Sequence, residues 1–367
     1  MNRRGLAVII ICILTGGLCG VIAWLVRSPG SGSAGRVATS PVIARFTVSS
    51  TSAPAAGTNA ADLYRQAMRL LAELQRDPAD QAQFQRYTDG TFDAQAQAFF
   101  EKHAKITDLI RQGAAATTAN WGEMDMQSRL NELNSIHSLF NLVMAESKFA
   151  MQQDNPALAI DDALAGMAMG RHLSHGGVLT SKLVEVGCDA RAIDWLAQIL
   201  PQLLSQQLAT LRQRLDALPP PESGTDMMTA EFANAQSMQT SPAMLDMVNS
   251  MEDFYRNVGV AMSRPPEEFA KSVDAEVAKY ISPTKSMLLR NFASSLKTAR
   301  VTLAVGEARQ AMLRTAIDVQ TRGESGAAAS IDPFGNGPFL YTKTANGFEL
   351  SSQLQYKNAP VKLVVGK

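Results

Sequence analysis

Acidic residues are missing from the start of the chain. No Asp or Glu precedes Asp62, although Arg3, Arg4, Arg27, Arg36 and Arg45 do. Cysteine is nearly missing too. Cys12 and Cys19 fall within one apolar run, and Cys188 stands alone in the remainder, which excludes a disulfide scaffold. Net charge is absent, with 34 Lys and Arg against 34 Asp and Glu, so no overall field draws in nucleic acid. The chain has no Gly-x-x-x-x-Gly-Lys-Ser/Thr loop, no Gly-x-Ser-x-Gly elbow and no His-Glu-x-x-His helix. These absences remove P-loop nucleotide chemistry, the α/β-hydrolase nucleophile and the zincin site. Gly30-Ser31-Gly32-Ser33-Ala34-Gly35 does spell Gly-x-Gly-x-x-Gly. It follows an apolar run rather than a strand and opens no helix, so it reads as flexible linker.

What is present begins with Gly5–Val26, an uncharged run of 22 residues. At ~1.5 Å per residue a helix of that length spans ~33 Å, enough to cross a hydrocarbon core. The run exceeds the apolar stretch of a cleaved signal peptide, so we read a retained anchor over residues 6–26, with Trp24 at the interface. Arg3, Arg4 and the α-amine narrowly outweigh the flanking Arg27 and Arg36. The positive-inside bias therefore places residues 1–5 in the cytoplasm and the bulk of the chain on the periplasmic side of the inner membrane.

Residues 27–57 are rich in Ser, Gly, Ala, Thr and Pro and read as a linker. Within them Val42–Val48 is β-branched and aromatic enough for an edge strand. Helical signals start at Asn59, where Asn59 and Asp62 resemble a capping pair. Leu63, Ala67, Leu70 and Leu74 repeat at helical spacing, and Asp77-Pro78 ends the helix. Further helices are expected over about 92–111, 126–152 and from Asn155-Pro156 to His175-Gly176-Gly177. Two stripes, Leu179 to Leu200 and Leu204 to Leu218, predict an antiparallel helical hairpin. Met244, Val248, Met251, Tyr255, Val258 and Met262 predict one more core-facing helix, and a long helix follows Pro283 to about Thr321. The breaks do not recur at a fixed period, which favours an irregular bundle over a repeat array.

The character changes after Arg322-Gly323. Residues 323–330 read as a small-residue link. Residues 331–367 carry two strand patterns flanking Asn346-Gly347, a hairpin signal, and a third at Val361–Val365. The stretch Asp332-Pro333-Phe334-Gly335-Asn336-Gly337-Pro338-Phe339-Leu340-Tyr341, entered from an Ala/Leu/Arg-rich helix, resembles a C-terminal module of uncharacterised bacterial membrane-anchored proteins. It is also similar to the Asp-Pro-Trp-Gly-Asn-Pro-x-x-Tyr segment of type II secretion pseudopilins. The resemblance implies an architecture rather than an activity. Ile10 stands where a pseudopilin processed at Gly5 would carry Glu, and no acidic residue follows Glu349 to hold calcium.

Candidate chemistry is sparse. His103 and His137 sit on apolar helix faces and read as buried histidines with one hydrogen bond each. His172 and His175, three residues apart at a helix end, are the metal-ligand candidates, without a fixed third ligand. Cys188 lacks a cysteine-protease signature. Asp161-Asp162 point to different sides of a helix, and Glu267-Glu268 suit a first turn. The fold class expected is mainly α: an irregular antiparallel helical bundle over 58–322 and a small C-terminal antiparallel β-hairpin module over 331–367, preceded by one transmembrane helix. The sequence assigns no catalytic residue, no metal and no cofactor. Its partners are the membrane through 6–26 and an unidentified protein, not nucleic acid. The function expected is a non-catalytic interaction or structural module of the envelope. The alternatives are an accessory pseudopilin-like secretion component and an all-α hydrolase of cell-wall or extracellular polymer, using distant carboxylates such as Glu123 or Glu146.

Overall fold

The computed structural model describes residues 57–122, 126–239, 241–280 and 283–366. The apolar run Gly5–Val26, most of the linker, the Val42–Val48 strand and Glu123 lie outside the described residues. Among the described residues no helix is long and apolar enough to cross a membrane.

The body is mainly helical and ends in a three-stranded antiparallel sheet. Helix α1 (Ala60–Leu74) starts at Asn59, whose Oδ1 accepts from Ala61 N and from Asn120 N. That side chain caps the helix and pins its start to a distant loop. Asp77 caps α2 (Pro78–Thr88), accepting from Ala79 N and Asp80 N. Pro78 therefore opens a helix as well as ending one, as proline at a first-turn position can. The next helix, α3 (Ala96–Ala115), begins later than its apolar pattern suggests, because Asp93 Oδ1 accepts from Gln95 N and holds a turn. Helices α4 (Met126–Gln152), α5 (Pro156–Ser174) and α6 (Leu179–Ile199) pack side by side. Helix α5 is buried along nearly all its length. Small residues make that position attainable: a Cβ on Gly166 would press on the Phe140 ring, and Gly170 lies against Cys188 and Glu185.

The expected hairpin between the two Leu stripes does not form. A 3₁₀ turn over Leu200–Gln202 redirects the chain, and α7 (Ser205–Asp216) packs on α5 and on the long helix α12 (Pro283–Arg322). The Met stripe is likewise two helices, not one. The helix is interrupted at Ser250-Met251, between α9 (Pro242–Asn249) and α10 (Glu252–Ala261). With α8 (Gly224–Ser237) and α11 (Pro266–Ala278), α10 surrounds a second apolar core of Met227, Met228, Phe254, Val258 and Phe269. The start of α6 (Leu179, Leu183) and the first half of α12 (Leu289, Leu296) complete it. Later residues of both helices, such as Leu196 and Leu313, belong to the main core. These two helices thereby tie the cores together.

The segment 323–330 is not a simple link. It holds a helical turn, α13 (Glu324–Ala328), pressed on α12 so closely that a Cβ on Gly326 would overlap the Asp318 carbonyl. Strands β1 (Leu340–Lys343), β2 (Phe348–Tyr356) and β3 (Ala359–Val365) follow in that order in the sheet. Alternation places Phe348 and Leu350 opposite Val365 and Leu363, all four buried against the helices. Asn346-Gly347 makes the first hairpin turn, with Thr344 N donating to Gly347 O. The buried Asp332 carboxylate organises the motif before the sheet. It accepts from Phe334 N at 3.0 Å, Gln353 N at 2.7 Å and Ser352 Oγ at 2.9 Å. It thus fixes a turn and the irregular stretch of β2 together.

Candidate functional site

Two clusters of ionisable side chains converge inside the helical body. The first joins α3, α4 and α5. Arg111 donates from Nε to Asp162 Oδ1 at 2.7 Å, from Nη2 to Glu146 Oε2 at 2.6 Å and from Nη1 to Asp108 Oδ1 at 3.0 Å. Asp162 and Glu146 have no solvent exposure. One guanidinium thus faces two fully buried carboxyls. Burial pushes both carboxyls above their ordinary range, Asp162 strongly, against the pull of Arg111. Burial also works against the charge on Arg111, yet Asp162 and then Glu146 outweigh it and hold it protonated. Each carboxyl thus spends one oxygen on the guanidinium, and Glu146 Oε1 and Asp162 Oδ2 have no hydrogen-bond partner among the described residues. Both carboxyls are closed off from solvent, while Arg111 reaches out to the part-exposed Asp108.

The second cluster lies at the turn between α5 and α6. Lys182 Nζ binds both Glu185 oxygens, at 2.8 and 2.7 Å, and Ser174 Oγ also donates to Glu185. Asp189 Oδ2 accepts from Gln310 Nε2 at 2.6 Å. Arg171 Nη2 stands 3.6 Å from the same oxygen, an ion pair longer than a hydrogen bond. Arg171 Nη1 donates to Pro219 O, and Gly176 N donates to Glu222 Oε1 at 2.7 Å. Leu179 N donates to Glu231 Oε2. The cluster therefore clasps the segment that leads from α7 to the second core. Burial lifts Asp189 to about 7 against Arg171, and lifts Glu222 to about 7 against the Gly176 N–H.

The metal candidates part company here. His172 is buried, its Nδ1 2.9 Å from Tyr64 Oη, and its carbonyl accepts from Trp121 Nε1 at 2.8 Å. Burial, then the charge of His175, presses its imidazole down to about 4. His175 is exposed, with Nε2 3.2 Å from Pro220 O. Among the described residues no group of three His, Cys, Asp or Glu side chains is arranged to hold a metal ion. Cys188 is fully buried and burial drives its thiol upward, away from the thiolate. His103 Nε2 lies 3.3 Å from Asp80 Oδ2, and His137 Nε2 lies 3.4 Å from Asn141 Nδ2. Asp161 pairs with Arg214, apart from Asp162.

No protein-family model, curated protein or solved structure matches the chain. The function must be read from the geometry alone.

The sequence reading missed both clusters. Asp162 and Glu146 stand among the sequence candidates and Arg111 does not, because the three lie on different helices and no local spacing joins them. One signal was available: Asp162, Arg171, Glu185 and Asp189 interrupt stretches otherwise rich in Ala, Leu, Val and Met. A charge on such a helix must find its partner inside.

Proposed function

We propose that this chain is a membrane-anchored envelope protein whose helical body serves as a non-catalytic interaction or structural module. The uncharged run Gly5–Val26 supplies the anchor, and the body lies on the periplasmic side. The observation that carries the reading is the Arg111–Asp162–Glu146 clamp. Its two fully buried carboxyls and the guanidinium between them hold three helices together. Its carboxyls answer the guanidinium across helix contacts, which is a packing role. The hydrolase alternative loses support from Glu146, one of its two named carboxylates; the other, Glu123, lies outside the described residues. The Asp332–Tyr341 segment, which prompted the secretion reading, has a local structural task in fixing the turn into the sheet.

Two measurements test the proposal together. A reporter enzyme active only outside the cytoplasm, fused after Lys367, should be active, and the chain should resist extraction from membranes by alkaline carbonate. Purified full chain should release no fragments from cell-wall polymer, and Glu146→Gln should change nothing in that assay. Carbonate-soluble protein would sink the anchor. A hydrolysis abolished by Glu146→Gln would sink the non-catalytic body.

A further inference from the structure

The short-helix layer formed by α8 to α11 holds the acidic share of the chain. Residues 224–278 carry nine Asp and Glu against Arg256, Arg264 and Lys271, whereas the whole chain is neutral. Asp253 pairs with Arg256 and Asp274 with Lys297. Asp246, Glu252, Glu267 and Glu268 are exposed, and among the described residues none of them forms an ion pair. The same layer has an apolar side that neither core takes up. At 3.6 residues per turn Met244, Leu245, Met247 and Val248 share one half of α9, and Asp246 lies on the other. Val248 is buried, Met244 and Met247 are half-buried and Leu245 is exposed. All four lie outside the two apolar cores. The helix itself is held to α8, where Gln236 Nε2 donates to Asn249 Oδ1 at 2.9 Å. Methionine side chains adapt to what covers them, so such a face suits an irregular occupant.

A complementary stretch lies in the same chain. Residues 27–56 contain Arg27, Arg36 and Arg45 and no Asp or Glu. Within them Val42, Ala44, Phe46 and Val48 alternate with Ile43, Arg45 and Thr47. In an extended segment that alternation offers an apolar edge next to a guanidinium. The place where this stretch joins the body is also close to the acidic layer. Asn59 is tied to Asn120, and the neighbouring Trp121 donates to His172 O near the end of α5. The same end of α5 receives the entry to the layer: Gly176 N donates to Glu222 Oε1 at 2.7 Å, one residue before Ser223 caps α8. Residue 48 stands nine residues before Gly57, a reach of up to ~30 Å, and α8 with its 14 residues is ~21 Å long. A tethered segment meets its site at an effective concentration near millimolar, so weak exposed charge pairs and a small apolar contact suffice.

We propose that residues 36–48 of this chain dock on the uncovered side of α9, with their apolar positions on Met244, Leu245 and Met247 and with Arg36 and Arg45 among the exposed carboxylates of the layer. The docked segment draws the acidic layer toward the start of the chain and thereby sets which side of the body faces there. This contact is separate from the anchor: it holds whether or not Gly5–Val26 spans a membrane.

The test is photo-crosslinking in the purified full chain, held in detergent, with benzoylphenylalanine in place of Met247. Irradiation should join this position to residues 36–48 of the same chain, as read by mass spectrometry of the digested monomer band. Arg36→Glu and Arg45→Glu together replace attraction by repulsion and should lower that yield about fivefold or more. Both changes lie outside the helical body, so they leave its fold intact. The probe in place of the exposed Leu245 gives a second reading should the Met247 position disturb α9. The probe in place of Leu340, exposed on the sheet, should capture nothing from 36–48. Capture of another segment or of nothing at both α9 positions overturns the proposal. So does capture of a second copy in a dimer band, equal capture from Leu340, or a yield that the two charge reversals leave unchanged.

Discussion

At the scale of single residues, the informative positions are charged groups inside the body. Removing the cation from the Arg111 clamp strands two carboxyls. Arg111→Met should therefore cost about 3–5 kcal/mol in urea unfolding. Asp162→Asn should cost far less, about 1 kcal/mol, because burial already favours the neutral form of this carboxyl and an amide oxygen can still accept from Arg111 Nε. Equal losses from the two variants would show that both carboxyls are ionised. Titration gives a second handle. Asp189 holds its proton more tightly folded than unfolded, having been lifted to about 7 by burial against Arg171. The stability it lends is complete below the ordinary carboxylate range and is lost as pH rises through about 7. His172 runs the other way. Burial, aided by His175, lowers it to about 4 from 6.5, so its contribution is present above 6.5 and is lost as pH falls through about 4. Asp189→Asn should accordingly gain stability over the parent chain between pH 5 and 8, and His172→Gln should lose less than the parent on acidification to pH 4. Urea midpoints across that range, parallel for all three chains, would contradict both assignments.

At the scale of elements, what could be read locally was read. Asn59, Asn155-Pro156 and Asn346-Gly347 announce themselves because capping and hairpin turns are made by neighbours in sequence. Helices α4, α5 and α12 were legible from their length. Helix α2 was not, because its stretch Pro78–Thr88 is polar and buries little beyond Asp80, Phe84 and Tyr87. The apolar stripe running from Met244 to Met262 promised one helix. Ser250 and Met251 break it, and no proline or glycine marks the place. The α6–α7 hairpin failed for a related reason: a stripe shows which face is buried and not which helix buries it. The second sheet turn was also invisible. Lys357 and Asn358 both take positive φ, 52° and 63°, between Tyr356 and Ala359, the backbone of a type I′ turn without its usual glycine. Asn358→Gly should relieve that cost and stabilise the chain by about 0.5–1 kcal/mol. A loss of stability in thermal unfolding would mean that the Asn358 side chain contributes more than its backbone costs.

At the scale of the whole molecule, the two apolar cores are unequal in how they are built. The main core rests on long helices, α4 with 27 residues, α5 with 19 and α6 with 21. The second relies on α8 to α11, of 14, 8, 10 and 13 residues. Helices that short are marginal alone and owe their persistence to packing. Their packing in turn depends on one close crossing. Gly224 at the start of α8 meets α10 where a Cβ would overlap Met262, and Gly259 meets the Thr225 backbone from the other side. Shared helices α6 and α12 join this layer to the rest, and the hydrogen-bonded clasp at Arg171, Gly176 and Glu222 holds the segment by which the chain enters it. Local opening in a protein follows such boundaries. Gly224→Ala should therefore cost about 1–3 kcal/mol through overpacking, and the cost should fall unevenly. Amide exchange should accelerate across residues 224–278 while α4 and α5 keep their protection. Uniform acceleration through both cores would show that the shared helices bind the molecule into one cooperative unit, and that the short-helix layer has no independent opening of its own.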